Sequence, residues 1–526
     1  MKLRTIVKIA ITSSVVLLCS GFALYSFFRL SAAEGQKDFN LYELVPSTTS
    51  AVFVTDDVLE FVAEVDELTC SKNQQYLYVS KLFSYLKQSL YALSEDTPHG
   101  LSRQMNQMLI SFHEPDNERN QVLYCRLGNG DKELVNRFVR KYISSLYPPK
   151  TFIYKGEEII IYPMADGDFL ACYLTSDFMA LSFQKKLIEN VIDAYKSGKS
   201  LADDSTFTGI RAPKKSAAAA TIYTRMQGMM GWTEFDMKMK DDFIYFSGIT
   251  HDADTCFAFI NQLRQQQSVK GFPGEVLPST AFYFSRQGIT DWVSLLSYGN
   301  AQGQSVSTRT SEVQNRDKEF SRYLMENAGQ DLVACLFQRE DTLQGAAAVL
   351  SLSVADVTEA ERMLRALVSA APADEGRRNP RITFCYTVNK AYPIYRLPQT
   401  TLFEQLTSFA EPTLDVYAAF YGGRLLLAPD ADALAHYIRQ LDKGEVLNGA
   451  MVYQTGMDHL SDSYHFMLMA DFDHIFQQSE NHVRFVPDFF LRNADFFRHF
   501  TLFVQFACAD GVVYPCLLYT SPSQRD

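Results

Sequence analysis

The stretch ACYLTSDFMALSFQKKLIENVIDAYKSGKSLADDSTF, residues 171–207, aligns without gaps on YAAFYGGRLLLAPDADALAHYIRQLDKGEVLNGAMVY, residues 417–453. Both stretches read as a strand, a turn, a second strand and a helix. A glycine stands where each helix should end, Gly198 in one and Gly444 in the other. Because two unrelated segments seldom share the spacing of so many elements, the alignment predicts that one structural module occurs twice.

Further pairs of segments recur in the same order. A Pro-Ser-Thr turn enters an apolar run in the first pair, and an Asp-Asp or Asp-Gly hairpin turn separates two strands in the last. The pairs are ELVPSTTSAVFV (43–54) with EVLPSTAFYF (275–284), MLISF (108–112) with DLVACLF (331–337), and FDMKMKDDFIYFSGI (235–249) with FTLFVQFACADGVVYP (500–515). The shared order extends the repeat over most of the chain.

Strands joined by short hairpins, with fewer helices between them, are typical of an antiparallel sheet with helices on one face. We therefore expect an α+β fold in two tandem modules, 41–270 and 271–515. The joint is expected in QSVKGFPGEVLP, residues 267–278, which is rich in glycine and proline.

The N-terminal segment IAITSSVVLLCSGFALYSFF, residues 9–28, carries no charge. As a helix, about 20 apolar residues cross a hydrocarbon core of about 30 Å. Three basic residues in the stub 1–8 favour a cytoplasmic N-terminus. The sequence thus predicts a single-pass signal anchor in the inner membrane, with the bulk of the chain extracytoplasmic or periplasmic.

Signal-peptide cleavage and lipidation are the two alternatives to an uncleaved anchor. Cleavage after the small residues at 31–33 would release a soluble protein. Lipidation at Cys19 is disfavoured because Val16, Leu17 and Leu18 precede it, where a lipoprotein would have a small residue.

Charge and cysteine usage restrict the partners. The formal net charge is −12, and since residues 1–28 carry three bases and no acid, the remainder carries −15. An acidic surface repels phosphate backbones, so no nucleic acid partner is expected. The cysteines lack CxxC spacing, so we predict buried thiols and no essential disulfide.

The C-terminal segment CLLYTSPSQRD, residues 516–526, resembles the translation of a sequencing-library adaptor. We therefore expect residues 516–526 to be an artefact and the second module to be truncated. The alternative is a natural disordered C-terminus.

Catalytic signatures are missing. The string SGKS, residues 197–200, closes a predicted helix, whereas a phosphate-binding loop must open one. No GxSxG, HExxH or GxGxxG occurs, and no cofactor is expected. The densest set of possible metal ligands is His459, His465, Asp471, Asp473 and His474, with Asp471, Asp473 and His474 as the candidate site. A helix-capping aspartate with exposed histidines is the favoured interpretation of these residues.

Two apolar sets precede the predicted hairpins and could line a groove for a partner helix or a lipid chain. They are Phe489, Phe490, Phe496 and Phe497 in one module, and Met229, Met230 and Trp232 in the other. Ordinary core packing is the favoured alternative.

The N-terminal anchor, the LVPST opening at residues 44–48 and the doubled module resemble an uncharacterised family of membrane-anchored envelope proteins from gut-dwelling Gram-negative bacteria, which carries a domain-of-unknown-function label. The resemblance implies a location and no catalytic residue. We expect a non-enzymatic binding or scaffold protein whose partner is an envelope protein or an apolar ligand. The alternative is a metal-dependent hydrolase acting on envelope substrates.

Overall fold

The computed structural model describes residues 39–68, 105–113, 119–128, 131–139, 147–164, 167–211, 218–225, 231–240, 243–250, 258–293, 295, 311–339, 346–370, 381–388, 390–398, 400–407, 415–477, 486, 490–491 and 494–520. The predicted stub and transmembrane helix, residues 1–28, lie outside them. Among the described residues, no helix combines the length and apolar character needed to cross a membrane.

The strands are short and follow one another closely. The first ten are β1 (Ala51–Thr55), β2 (Met108–Phe112), β3 (Gln121–Arg126), β4 (Lys150–Tyr154), β5 (Glu157–Pro163), β6 (Phe169–Leu174), β7 (Phe178–Ser182), β8 (Ala220–Thr224), β9 (Thr233–Lys240) and β10 (Phe243–Thr250). They are followed by β11 (Val269–Lys270), β12 (Ala281–Gly288), β13 (Ala328–Gln338), β14 (Ala346–Val354), β15 (Ile382–Tyr386), β16 (Ala391–Pro398), β17 (Asp415–Tyr421), β18 (Arg424–Ala428), β19 (Ser463–Tyr464), β20 (Phe466–Asp471), β21 (Thr501–Ala509) and β22 (Val512–Thr520).

The helices lie between these strands. Those of the N-terminal part are α1 (Val58–Glu67), α2 (Asp131–Phe138), α3 (Lys185–Ser197), α4 (Ser205–Ile210) and α5 (Ala258–Gln265). Those of the C-terminal part are α6 (Ser311–Asn327), α7 (Val357–Ala370), α8 (Leu402–Leu406), α9 (Ala431–Asp442), α10 (Met451–Met457), α11 (Phe472–Phe476) and α12 (Ala494–Phe497). Short 3₁₀ turns occupy Leu41–Leu44, Pro273–Val276 and Leu447–Gly449.

Twenty strands form one continuous antiparallel sheet. The pairings give the order β4-β5-β6-β7-β3-β2-β1-β8-β9-β10-β22-β21-β20-β12-β13-β14-β18-β17-β16-β15. Strands β11 and β19 form a separate two-stranded sheet. β4 and β15 are thus the outer strands of the large sheet.

The predicted fold class, two separate tandem α+β modules, is wrong. The strands of 41–270 and 271–515 share one sheet because β10 and β22, expected to end separate modules, pair along most of their length, from Phe243 with Thr520 to Thr250 with Val513. Both strands are rich in aromatic and aliphatic residues, and such side chains stabilise cross-strand pairs. The protein is therefore largely a single sheet.

The expectation of helices on one face is also wrong, because apolar clusters cover both faces. In the C-terminal part, one cluster joins the sheet to α6 and α7, and another joins its opposite face to α9 and α10. Residues 331–337 of β13 are all buried in succession. A run of consecutive apolar residues is typical of a strand covered on both sides, whereas a strand covered on one side alternates.

The sheet has the same strand order when followed inward from either end. We call the ten strands from β4 to β10 the first half and the ten from β22 to β15 the second half. In the first half Phe53 pairs with Ile110 and Ile110 with Leu123. In the second half the equivalent pairs are Ser285 with Ala334 and Ala334 with Leu350.

Backbone contacts outside the strands support this matching. Pro46 forms an isolated bridge with Ser200, and Pro278 forms one with Val446. Helix α3 ends at Gly198, which adopts a left-handed conformation with φ of 61°. The helix that was predicted to close at this glycine is therefore present.

The C-terminal strand includes residues that we expected to be adaptor sequence. Residues 516–520 form the end of β22 and pair with both β21 and β10. Residues 521–526 lie outside the described part. The six cysteines in the described part are free thiols.

Candidate binding cavity

The residues singled out as metal ligands form a helix cap. Asp471 accepts hydrogen bonds from the backbone amides of Asp473 and His474 at the start of α11. Its other carboxylate oxygen lies 2.9 Å from Nδ1 of His474, and this hydrogen bond raises the pKa of the imidazole. No group of three metal-ligand side chains converges anywhere in the described ranges.

The residues singled out as an apolar surface belong to the interior where they are described. Phe497 is buried with its ring edge-to-face with that of Phe490, and both contact Phe472 in the core. Trp232 is fully buried against Phe207. Phe489, Met229 and Met230 lie outside the described residues, and the side chain of Phe496 is not described.

A cavity of about 450 Å³ opens in the first half, at one end of β1, β2 and β3. Its walls combine an apolar floor with polar groups from the 3₁₀ turn, the strand ends and α4. The lining residues are Leu41, Tyr42, Val54, Asp56, Gln107, Leu109, Arg126, Thr208, Arg211 and Tyr223. A cavity of this size suits a small organic molecule.

Local structure fixes the two aromatic walls. Asn40 caps the 3₁₀ turn by accepting a hydrogen bond from the amide of Tyr42 at 3.3 Å. The Tyr42 ring then lies 5.2 Å from that of Phe207 in α4, which in turn contacts Tyr223. Burial raises the pKa of Tyr42 to about 12 and also raises that of Tyr223. Both hydroxyls therefore stay protonated at neutral pH and can donate hydrogen bonds.

Arg211 supplies an uncompensated positive charge at the cavity. It follows the last turn of α4 as its C-cap residue, and its guanidinium carbon lies 4.2 Å from the centre of the Tyr42 ring. No carboxylate of the described residues forms an ion pair with it. Stacking on an aromatic ring fixes the guanidinium plane and leaves its edge N–H groups available for an anion.

The other polar walls are held by neighbouring groups. Nε of Arg126 donates to the backbone oxygen of Phe39 at 2.6 Å. The amide nitrogen of Gln107 donates to Asp56 at 2.6 Å. The amide oxygen of Gln107 is buried and receives no hydrogen bond from any described residue. A buried acceptor of this kind is costly unless water or a ligand supplies a donor.

A second cavity of about 400 Å³ lies at the equivalent place in the second half. Through the strand register, Val54, Gln107 and Arg126 correspond to Arg286, Asp331 and Ser353, all of which line this second cavity. The two cavities thus occupy matching positions in one sheet and carry different side chains.

An ion network holds Arg286 and Asp331 of the second cavity, which Lys270 also lines. The Asp331 carboxylate lies 3.1 Å from Nε of Arg286 and 3.3 Å from a terminal nitrogen of Arg424. Burial alone would raise the pKa of Asp331, but Arg424, the Ser353 hydroxyl and Arg286 hold it below its ordinary value. Arg286 also donates to the backbone oxygen of Gly271 at 2.8 Å. These charges are satisfied within the chain.

Sequence reasoning did not identify the first-half cavity. Its residues come from six separate elements, and no short motif joins them. The sequence contains one indication of the cavity. In the aligned Pro-Ser-Thr openings Tyr42 and Gly274 occupy equivalent positions, and their side-chain volumes differ greatly.

No family model, curated protein or solved structure matches the chain. The resemblance to membrane-anchored envelope proteins stays a prediction, and the function has to be argued from the geometry of the site.

Proposed function

We propose that the protein is a non-enzymatic binding protein whose first-half cavity takes a small organic anion with an apolar body. Residues 9–28 would hold the protein at the inner membrane, with the sheet on the extracytoplasmic side. The observation that carries the proposal is Arg211, which stacks on Tyr42 and forms no ion pair with any described residue, at a cavity of about 450 Å³.

The composition of the walls supports this class of ligand. Leu41, Val54 and Leu109 are almost fully buried and offer an apolar floor. Arg126 and Arg211 both line the cavity, and a guanidinium group matches the geometry of a carboxylate. The open acceptor of Gln107 adds a position for a ligand N–H or O–H group.

The second-half site does not favour the same ligand. Asp331 already occupies the arginines there, so an incoming anion would have to displace a buried carboxylate. We therefore expect one ligand per chain.

The test is calorimetric titration of the purified full chain, in mild detergent, with phenylacetate and with its uncharged analogue phenylacetamide. We expect phenylacetate to bind more tightly than phenylacetamide, because the charge-assisted hydrogen bonds to Arg211 need a carboxylate. The substitution Arg211→Gln should weaken phenylacetate binding about tenfold or more.

Arg362→Gln is the matched control. Arg362 is an exposed arginine of α7 that pairs with Glu359, far from the cavity lining. It should leave phenylacetate binding unchanged. Equal binding of the acid and the amide, or an equal loss with both arginine variants, would refute the proposed site. The membrane part is checked by fractionation, since a soluble full chain would contradict it.

A further inference from the structure

The two outer strands of the sheet, β4 and β15, each have one edge to which no described residue pairs. An open strand edge presents a row of unpaired backbone N–H and C=O groups and recruits further strands. Proteins usually protect such edges with charged side chains, proline or bulges. The two edges of this sheet differ in that protection.

β15 is an exposed apolar edge. Ile382, Phe384 and Tyr386 project from one face with 41%, 54% and 71% of their surface exposed, and the Phe384 and Tyr386 rings lie 6.3 Å apart. Cys385 points to the opposite face and is buried there. The strand ITFCY contains no charge and no proline. It therefore combines an open backbone edge with a continuous apolar strip.

β4 is protected by lysine. Lys150 begins the strand and Lys155 follows it. The ammonium group of Lys185 lies 5.0 Å from the centre of the Phe152 ring, and the Tyr154 hydroxyl donates to Asp193. A strand added to this edge would have to desolvate these charges.

We propose that β15 pairs with β15 of a second copy of this chain, antiparallel and about a two-fold axis, so that two sheets join edge to edge. The same kind of antiparallel pairing already occurs within one chain, where β10 pairs with β22 and joins the two halves of the sheet. The second junction would continue the same sheet.

The sequence of β15 is self-complementary in this arrangement. A two-fold axis at Phe384 places Phe384 opposite its own copy and Ile382 opposite Tyr386. All three side chains then meet on one face as aromatic and aliphatic cross-strand pairs, which are stabilising contacts. An isologous contact of this kind closes as a dimer and leaves no further β15 edge. Arg381 does not oppose it, because its guanidinium donates to the carbonyl oxygens of Val368 and Ser369.

The strand register supplies a matched control position. Phe152 pairs with Ile159, and the equivalent pair in the second half is Thr383 with Ile394. The next residues, Ile153 and Phe384, are therefore equivalent. Ile153 is 71% exposed on β4. Phe384→Lys and Ile153→Lys each introduce a lysine at equivalent positions of the two outer strands.

The experiment is sedimentation velocity of the full chain in mild detergent over a concentration series. We expect a concentration-dependent dimer that Phe384→Lys weakens about tenfold or more, because two ammonium groups would meet at the axis. Ile153→Lys should leave the dimer intact. The predicted anchor is the same in all variants, so a difference between them reports on the edge.

Cross-linking provides a second measurement. In Phe384→Cys the two thiols would face each other at the axis, so mild oxidation should give a covalent dimer, while Ile153→Cys should give no covalent dimer. A monomeric wild type at all concentrations, a dimer that survives Phe384→Lys, or equal disruption by Ile153→Lys would each overturn the proposal. If the wild type stayed monomeric but bound a synthetic peptide of residues 381–388, the β15 edge would accept a strand from a different protein and would not form a dimer of this chain.

Discussion

The two cavities of the sheet lie at matching positions, yet their arginines are held in different ways. Val54, Gln107 and Arg126 surround the first, and Arg286, Asp331 and Ser353 surround the second. In the second half a carboxylate between two arginines satisfies the charges inside the protein. In the first half Arg211 stacks on Tyr42 and pairs with no described carboxylate. The comparison separates a charge network that holds the fold from a charge that is available to a ligand.

The same difference is visible in how each half fills the space beside its 3₁₀ turn. In the first half Tyr42 lies beside Phe207. In the second half the equivalent residues are Gly274 and Tyr453, and the glycine leaves room for the larger ring. The first half thus has an aromatic ring at both the turn and the helix position, whereas the second half has one at the helix position and a glycine on the turn.

The largest expected effect comes from breaking the ion network. Asp331→Asn leaves the half-buried Arg286 and Arg424 without their carboxylate, and we expect it to lower the free energy of unfolding by about 3 kcal/mol. Urea unfolding followed by circular dichroism measures the change. Gln107→Ala, at the equivalent position of the first half, should cost about 1 kcal/mol or less.

The network can also be replaced as a whole. The triple variant Arg286→Met, Asp331→Leu, Arg424→Met removes all three charges together, and we expect it to be closer to wild type in stability than Asp331→Asn. If the single and triple variants were equally destabilised, the loss would reflect packing, and the buried charges would not explain it.

The second prediction concerns Gly274. A Cβ atom at this position would stand 2.6 Å from a ring carbon of the buried Tyr453, so Gly274→Ala should destabilise the protein by about 1–3 kcal/mol. Gly209→Ala in α4 is the control, because a Cβ there meets no atom within 4 Å. Thermal unfolding of both variants measures the difference. Combining Gly274→Ala with Tyr453→Leu should recover part of the loss, and strict additivity would contradict the contact.

Much of the local structure was predictable from the repeat, because hairpins and helix ends depend on nearby residues. The helix that closes at Gly198 is an example. The joining of the halves was not predictable, because the pairing of β10 with β22 depends on residues more than 250 positions apart in the sequence, such as Phe243 and Thr520. An apolar β-hairpin has the same sequence pattern whether the outer edge of its second strand faces solvent or pairs with another strand.

The candidate site was harder to predict than the fold. Asp471 and His474 are close in sequence and polar, and they form a helix cap. Arg211 and Tyr42 are 169 positions apart, and only the packing of α4 on the 3₁₀ turn brings them together. Residues that are near in sequence are easy to single out, whereas a cavity is built from distant ones.

The smallest expected effect is a difference in pH dependence between the halves. Ser111 lies 2.9 Å from Nε2 of His113, and burial lowers the pKa of His113 to about 4. The equivalent residue of the second half is Phe337, which does not titrate. Because the unfolded chain protonates near pH 6.5 and the folded protein resists it, His113 makes stability fall as pH drops from about 6.5 to about 4.

His113→Phe copies the second half and should remove this part of the pH dependence of the free energy of unfolding. Urea unfolding at several pH values measures it. His474→Gln gives a contrast of opposite sign, because Asp471 raises the pKa of His474, so that histidine stabilises the fold at low pH and loses the effect as pH rises. An unchanged slope in His113→Phe would mean that folding does not change the pKa of His113, and the two halves would then not differ in this respect.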